Sequence, residues 1–278
     1  MSNNLLSGLG KFGLGNLSEM KLFEEPEKKE EVKEVKNKAP SEEEFLLSKA
    51  FECPVCDEKF NDLVMRSGKA KLVGTDRDLR PRYEFIDPVK YGIISCPNCG
   101  YAVLTRYFAP LSPTIRNLIK ANISDAFIKR TETSTTYSYE DAFERHQLCL
   151  ANAIVKKAKD SEKADVCWKT AWIIRGMAEN LDKEAPDYET KVKELKAQEQ
   201  DFLKNAFDGF INARTNENYP IGGMDEPTLD YLLAGLAITF KQFDVASRMI
   251  SGILASPAAN PRIKEKARDL KEELKNAK

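Results

Sequence analysis

Cys53-Pro54-Val55-Cys56 and Cys96-Pro97-Asn98-Cys99 frame residues 57–95, and the reading of these two segments decides the rest. A two-residue spacer lets both thiolates of a pair face one ion from a single tight turn. Two such turns complete a tetrahedral four-sulfur site. Each pair carries proline after its first cysteine, and each is followed by a residue, Asp57 or Gly100, of a kind that tolerates positive φ. That conformation lets backbone N–H groups past the turn point at the sulfurs. With Cys53, Cys56, Cys96 and Cys99 filling every position the site is closed. This predicts one structural zinc per chain rather than a catalytic ion with a position open to water. An S4-iron, rubredoxin-like centre and a dithiol redox protein are the alternatives, because thiolate ligands alone do not choose the metal.

Working outward, residues 63–65, 71–73, 83–86, 91–94 and 101–104 are short runs of apolar, β-branched or aromatic residues. Ser67-Gly68 and Asp87-Pro88 interrupt them as turns. The pattern predicts a small antiparallel β module of zinc-ribbon type over residues 45–110. Ser41 and Glu44 form a capping-box pair, predicting a short helix that carries Phe45, Leu46 and Leu47 toward the cysteines. Beyond Ser112-Pro113, an N-cap followed by proline, the chain reads as helices over 113–131, 139–159, 162–182, 188–214, 228–241, 243–255 and 262–276.

Leu233, Ala234, Phe243, Ala246, Ile250 and Pro257 fall near the small and large packing positions of a tetratricopeptide repeat. Ala151, Ala164, Trp168 and Ala171 do similar work earlier. A plain antiparallel bundle accounts for the same spacing. The expected fold class is α+β: a small antiparallel zinc-ribbon-like module, then an all-α, tetratricopeptide-like array of helical hairpins over 111–278. A disordered segment over 1–44 precedes them. Within it, glycine-rich residues 1–23 suit a mobile terminus or a docking peptide, and the charged stretch 24–44 has little to bury.

Acidic and basic residues nearly cancel, leaving a net charge of -1. Residues 57–95 hold eight basic and seven acidic side chains. A nucleic-acid-binding ribbon carries a clear basic excess, so RNA binding is only a third reading. No apolar run approaches the ~20 residues of a membrane span. The N-terminus lacks the basic start and cleavage site of an export signal, which predicts a cytoplasmic, reducing setting. There, six cysteines are metal ligands or buried thiols rather than disulfides, and Cys149 and Cys167 read as core.

Arg77, Arg80, Arg82 and Tyr83 form a second candidate surface for a phosphate, a carboxylate or a partner. Asp76 and Asp78 beside them favour a hairpin tied by internal ion pairs. The acidic residues Glu179 and Asp182 read as a solvated helix face. No phosphate loop, nucleophile elbow or metalloprotease helix is present. The expected role is therefore a binding or scaffold protein, not an enzyme, with a protein or peptide partner on the helical array.

The order CPVC, RDLRPRY, DPVKYGIISCPNCGYA and then a helical half resembles the bacterial family known as domain of unknown function 2225, from about residue 51 to the C-terminus. The resemblance implies that Cys53, Cys56, Cys96 and Cys99 are the family's metal ligands. It implies no activity.

Overall fold

The computed structural model describes residues 39–131 and 134–277. The expectations for residues 1–23, and for most of 24–44, lie outside the described residues. At Ser41 the backbone N–H donates to Glu44 Oε1 at 3.1 Å, as the capping pair predicts. The helix it starts is a single 3-10 turn, Glu42–Phe45, and the chain then extends into β1 (Leu46–Glu52). The expected helix through Leu46 and Leu47 is thus a strand. It pairs residue for residue with β2 (Lys59–Met65), from Leu46↔Met65 to Glu52↔Lys59, which satisfies the backbone that a helix would have satisfied locally.

β3 (Leu72–Thr75) pairs with β4 (Pro81–Tyr83), and β5 (Ile93–Ser95) with β6 (Ala102–Leu104). All three pairs are antiparallel and separate, so the single sheet expected is three two-stranded ones. Such a pair is marginal alone. Each is held by what it packs on. The run 83–86 leaves its strand after Tyr83 because Phe85 takes a positive φ of 64°.

Seven helices follow among the described residues: α1 (Pro113–Ile119), α2 (Tyr139–Val155), α3 (Asp160–Glu179), α4 (Tyr188–Asn216), α5 (Glu226–Thr239), α6 (Phe243–Ala255) and α7 (Pro261–Ala277). Their starts follow the caps. The Ser112 hydroxyl accepts from Ile115 N–H, Ser138 from Asp141 N–H and the Asp225 carboxylate from Thr228 N–H. The first helix stops well short of 131, passing at Lys120 into a π-helical turn that ends at Ser124. Small antiparallel sheets followed by helices fit the α+β class.

The main core joins α2 to α7. Trp168, Ala171 and Trp172 of α3 meet Phe207 and Phe210 of α4, and α5 is apolar almost all round, with Leu229, Leu232, Leu233 and Leu236 buried. Residues 40–278 form one compact unit. Leu79 and Val89, from the segment between the two cysteine pairs, pack into the same core. Trp168 Nε1 donates to the Asp78 carbonyl and Trp172 Nε1 to Asp78 Oδ2, both at 3.0 Å. Farther along, buried Asp62 on β2 accepts from Ser95 N–H, the Tyr137 hydroxyl and Arg145. No described helix is long and apolar enough to cross a membrane.

Cys149 and Cys167 lie in the core, 1% and 6% exposed, and burial lifts their thiols to about 12 and about 11. His146 is fully enclosed on α2, with Nδ1 2.7 Å from the Ala142 carbonyl oxygen. Burial depresses it from 6.5 to about 4. The folded protein therefore favours neutral imidazole. Its contribution is complete above the unfolded value near 6.5 and is lost as pH falls toward 4, an effect of about 3 kcal/mol. Urea unfolding from pH 7 to 4 should show this slope, and His146→Leu should flatten it. An unchanged slope in the variant would assign the acid sensitivity elsewhere.

Candidate metal centre

Both cysteine pairs sit on turns of the same construction. The first follows β1 and the second joins β5 to β6. Asp57 N–H donates to the Cys53 carbonyl at 2.9 Å, and Gly100 N–H to the Cys96 carbonyl at 3.1 Å. Cys53 N–H donates to the Glu58 carbonyl and Cys96 N–H to the Tyr101 carbonyl, closing each turn back onto its hairpin. Asp57 at φ 62° and Gly100 at φ 73° occupy the left-handed conformation that the sequence pattern requires. Val55 N–H reaches Cys53 Sγ at 3.4 Å.

These turns bring four sulfurs together. Cys53 Sγ lies 3.5 Å from Cys99 Sγ, and Cys56 Sγ lies 3.7 Å from Cys96 Sγ. All four are within 4.8 Å of one another. A disulfide needs about 2.05 Å, so neither contact is one. A zinc–sulfur bond of about 2.3 Å gives a tetrahedron with edges of about 3.8 Å, which these spacings approach. The four cysteines can hold one metal ion.

Crowding sets their protonation. Hydrogen bonds with Cys53 and Cys99 pull Cys96 well below the usual thiol range. Its contact with Cys96 is the largest influence raising Cys53, and Cys99 is raised as well, through Cys53 first. The cluster accepts one thiolate readily and resists the next. A bound cation supplies the positive charge that offsets this resistance.

The surrounding shell is mostly apolar. Val55, Tyr101, Val103 and Ile119 pack with the buried cysteines, and Cys56 is the one partly exposed. α1 and the π-helical turn cover the centre with Ile115, Ile119 and Ile123. Arg116 pairs with Asp57 at 3.0 Å, Arg130 N–H donates to the Pro97 carbonyl, and Asn98 Nδ2 reaches Cys56 Sγ at 3.4 Å. From α2, Asn152 donates to the Gly100 carbonyl at 2.9 Å.

Sequence reasoning missed Asn152. Its signal was an amide on the buried face of α2, between Cys149 and Ala153. A Cβ on Gly100 would come 2.5 Å from Phe127 Cδ2, on a backbone that already disfavours L side chains. Gly100→Ala should cost about 2–3 kcal/mol, from positive φ and overpacking together. Urea unfolding measures it, and a loss below about 0.5 kcal/mol would contradict that account.

Of the arginine segment, Arg80, Arg82 and Tyr83 line one cavity, while Arg77 parts from them. Arg77 reaches α5 and α7, hydrogen-bonding the Gly235 carbonyl and pairing with Glu273 at 2.6 Å. Arg80 is 2% exposed and pairs with Asp87 at 2.6 Å. Arg82 forks onto Asp76 at 2.8 and 2.6 Å, then onto Glu179 at 2.6 and 2.7 Å. Glu179 and Asp76 hold its guanidinium protonated well beyond the usual range. Tyr83, half-buried, packs beside Phe45 and Ile86. The expected ion pairs exist, but many run to the helices. Glu179, expected to be a solvated face, is an acceptor shared by Arg80 and Arg82.

Comparison with known proteins gives one family. A family model described as an uncharacterized protein conserved in bacteria, DUF2225, matches residues 46–274. No curated protein and no solved structure matches the chain. With both cysteine pairs and nearly the whole helical half inside the match, the chain belongs to the DUF2225 family.

Proposed function

We propose that this chain is a structural zinc protein that acts by binding, with a protein or peptide partner on its helical half, rather than by catalysis. The observation that carries the zinc assignment is the spacing of four sulfurs, three of them on buried cysteines, on two matched turns. A closed sulfur cage has no face left for a substrate. Metal-binding residues 45–110 and helical residues 111–278 organise this reading, and it places the protein in the cytoplasm.

Support for the partner surface is the small-and-large spacing on α3, α5 and α6, which suits tetratricopeptide-like helix pairs with a concave face. Ala164, Ala171, Ala234 and Ala246 are fully or almost fully buried, which lets helices approach closely. Protein purified under reducing conditions should contain about one zinc per chain by elemental analysis. A coloured preparation containing iron would support the S4-iron alternative, and a metal-free one the dithiol reading. The partner claim requires a protein captured from native cells to bind the purified chain directly. Salt-sensitive retention on RNA would instead favour the nucleic-acid reading, which the balanced charge opposes.

A further inference from the structure

A cavity of about 340 Å³, apart from the cysteine centre, lies where the segment 80–90 meets the end of α3. Arg80, Arg82, Tyr83, Phe85 and Glu179 are among its lining residues. Its size is at the lower end of small-molecule sites.

Arg80 is the anomaly. A guanidinium carries five N–H donors. At 2% exposure, this one gives a short bond to Asp87 and a long one, 3.4 Å, to Glu179. Its Nε has no hydrogen-bond partner among the described residues. A buried, under-satisfied cation in a cavity wall asks for an acceptor.

Glu179 fills that place poorly. It is the last residue of α3, where the helix dipole disfavours negative charge, and its side chain is 40% exposed. Its good bonds go to Arg82. Asp87, by contrast, is committed, accepting from Arg80, Tyr139 and Val89 N–H. Phe85 adds a second, independent sign. It lines the cavity with its side chain half in water, on a backbone at φ 64° that a bulky residue rarely adopts. Strain of this kind collects at ligand sites.

We propose that this cavity binds a small phosphate monoester carried on a flat ring. Its oxygens displace Glu179 and bridge Arg80 and Arg82, and its ring lies against Phe85 and Tyr83. Two guanidinium forks match phosphate oxygens. A monoester's charge of about −1.5 to −2 more than replaces the single carboxylate it moves. The inference makes no use of the metal centre, so either can fail alone.

The test is calorimetric titration of the full chain with phenyl phosphate, adenosine monophosphate and inorganic phosphate. Phenyl phosphate should bind saturably and about tenfold more tightly than inorganic phosphate. Comparing it with adenosine monophosphate separates an aryl from a nucleobase ring. Glu179→Gln removes the competing charge and should tighten phenyl phosphate about five- to tenfold, a gain that loss of a merely structural contact does not produce. Phe85→Gly relieves the backbone and should reduce phenyl phosphate to the level of inorganic phosphate. The proposal is overturned if neither the parent nor Glu179→Gln shows saturable binding up to about 10 mM. It is equally overturned if Glu179→Gln leaves phenyl phosphate affinity unchanged or weaker.

Discussion

Cys96→Ser protein should emerge from purification with little or no metal, and should melt in one transition at least about 10 °C below the parent. Serine keeps the shape of the side chain but binds zinc poorly, and three thiolates make a weaker, open site. Structural zinc in small modules is bound with ~10–16 kcal/mol that is coupled to folding. Here the sulfurs are also a core: Cys53 and Cys96 are fully buried with Val55, Tyr101 and Ile119. With no ion bound, crowded thiolates repel one another or take up protons, while two hairpins lose their joint.

The single transition follows from contacts reaching past the hairpins. Asn152 of α2 holds the Gly100 carbonyl, and Arg145 of α2 donates to both Asp62 and the Ile93 carbonyl. Far-UV circular dichroism reports the helices, and limited proteolysis reports residues 45–110. Loss of both signals at one temperature is the expected result. Helices that persist after residues 45–110 become cleavable would instead divide the chain near residue 110 into separately stable parts.

The legible features were the local ones. Two residues between cysteines, and a residue tolerant of positive φ after each pair, are enough to draw the turns, since each turn closes within six residues. The helix starts at 113 and 139 were legible for the same reason: Ser112 and Ser138 satisfy N–H groups three residues ahead, whereas the cap at Asp225 starts its helix two residues before the expected 228.

Features set by distant partners were not legible. Ser41 and Glu44 announce a helix, but residues 59–65 turn the next seven residues into a strand. Turn signals locate strands without saying which neighbours share hydrogen bonds, so three pairs looked like one sheet. Glu179 falls on an ordinary charged stretch of α3, and only the fold brings Arg80 and Arg82 to it across nearly a hundred residues. Alanine spacing on α3, α5 and α6 is equally at home in a repeat and in a bundle, because both need close helix approach.

Asp78→Ala should cost about 2–4 kcal/mol and lower the melting temperature by about 5–15 °C without releasing metal. Asp78 Oδ2 accepts from Trp172 Nε1 at 3.0 Å and from Arg175 at 2.6 Å, and its Oδ1 accepts from Arg175 at 3.0 Å. The carboxylate thus ties the segment between the cysteine pairs to α3. Alanine strands the Trp172 N–H and leaves Arg175 with Glu199 and Asp76. Breaking a well-buried pair costs about 3–5 kcal/mol. The side chains here, 11% and 21% exposed, retain some water, and the lower range allows for that.

Asp78→Asn keeps an oxygen for Trp172 but not the charge for Arg175, so it should cost about half as much. Trp168 and Trp172 are the chain's two tryptophans, and both indoles bond residue 78. Their emission therefore reads this joint directly. It should shift to the red in native Asp78→Ala protein, while zinc content stays at the parent level. A loss below about 1 kcal/mol with unchanged emission would show that Leu79 and Val89 hold the segment on the helices by apolar burial alone.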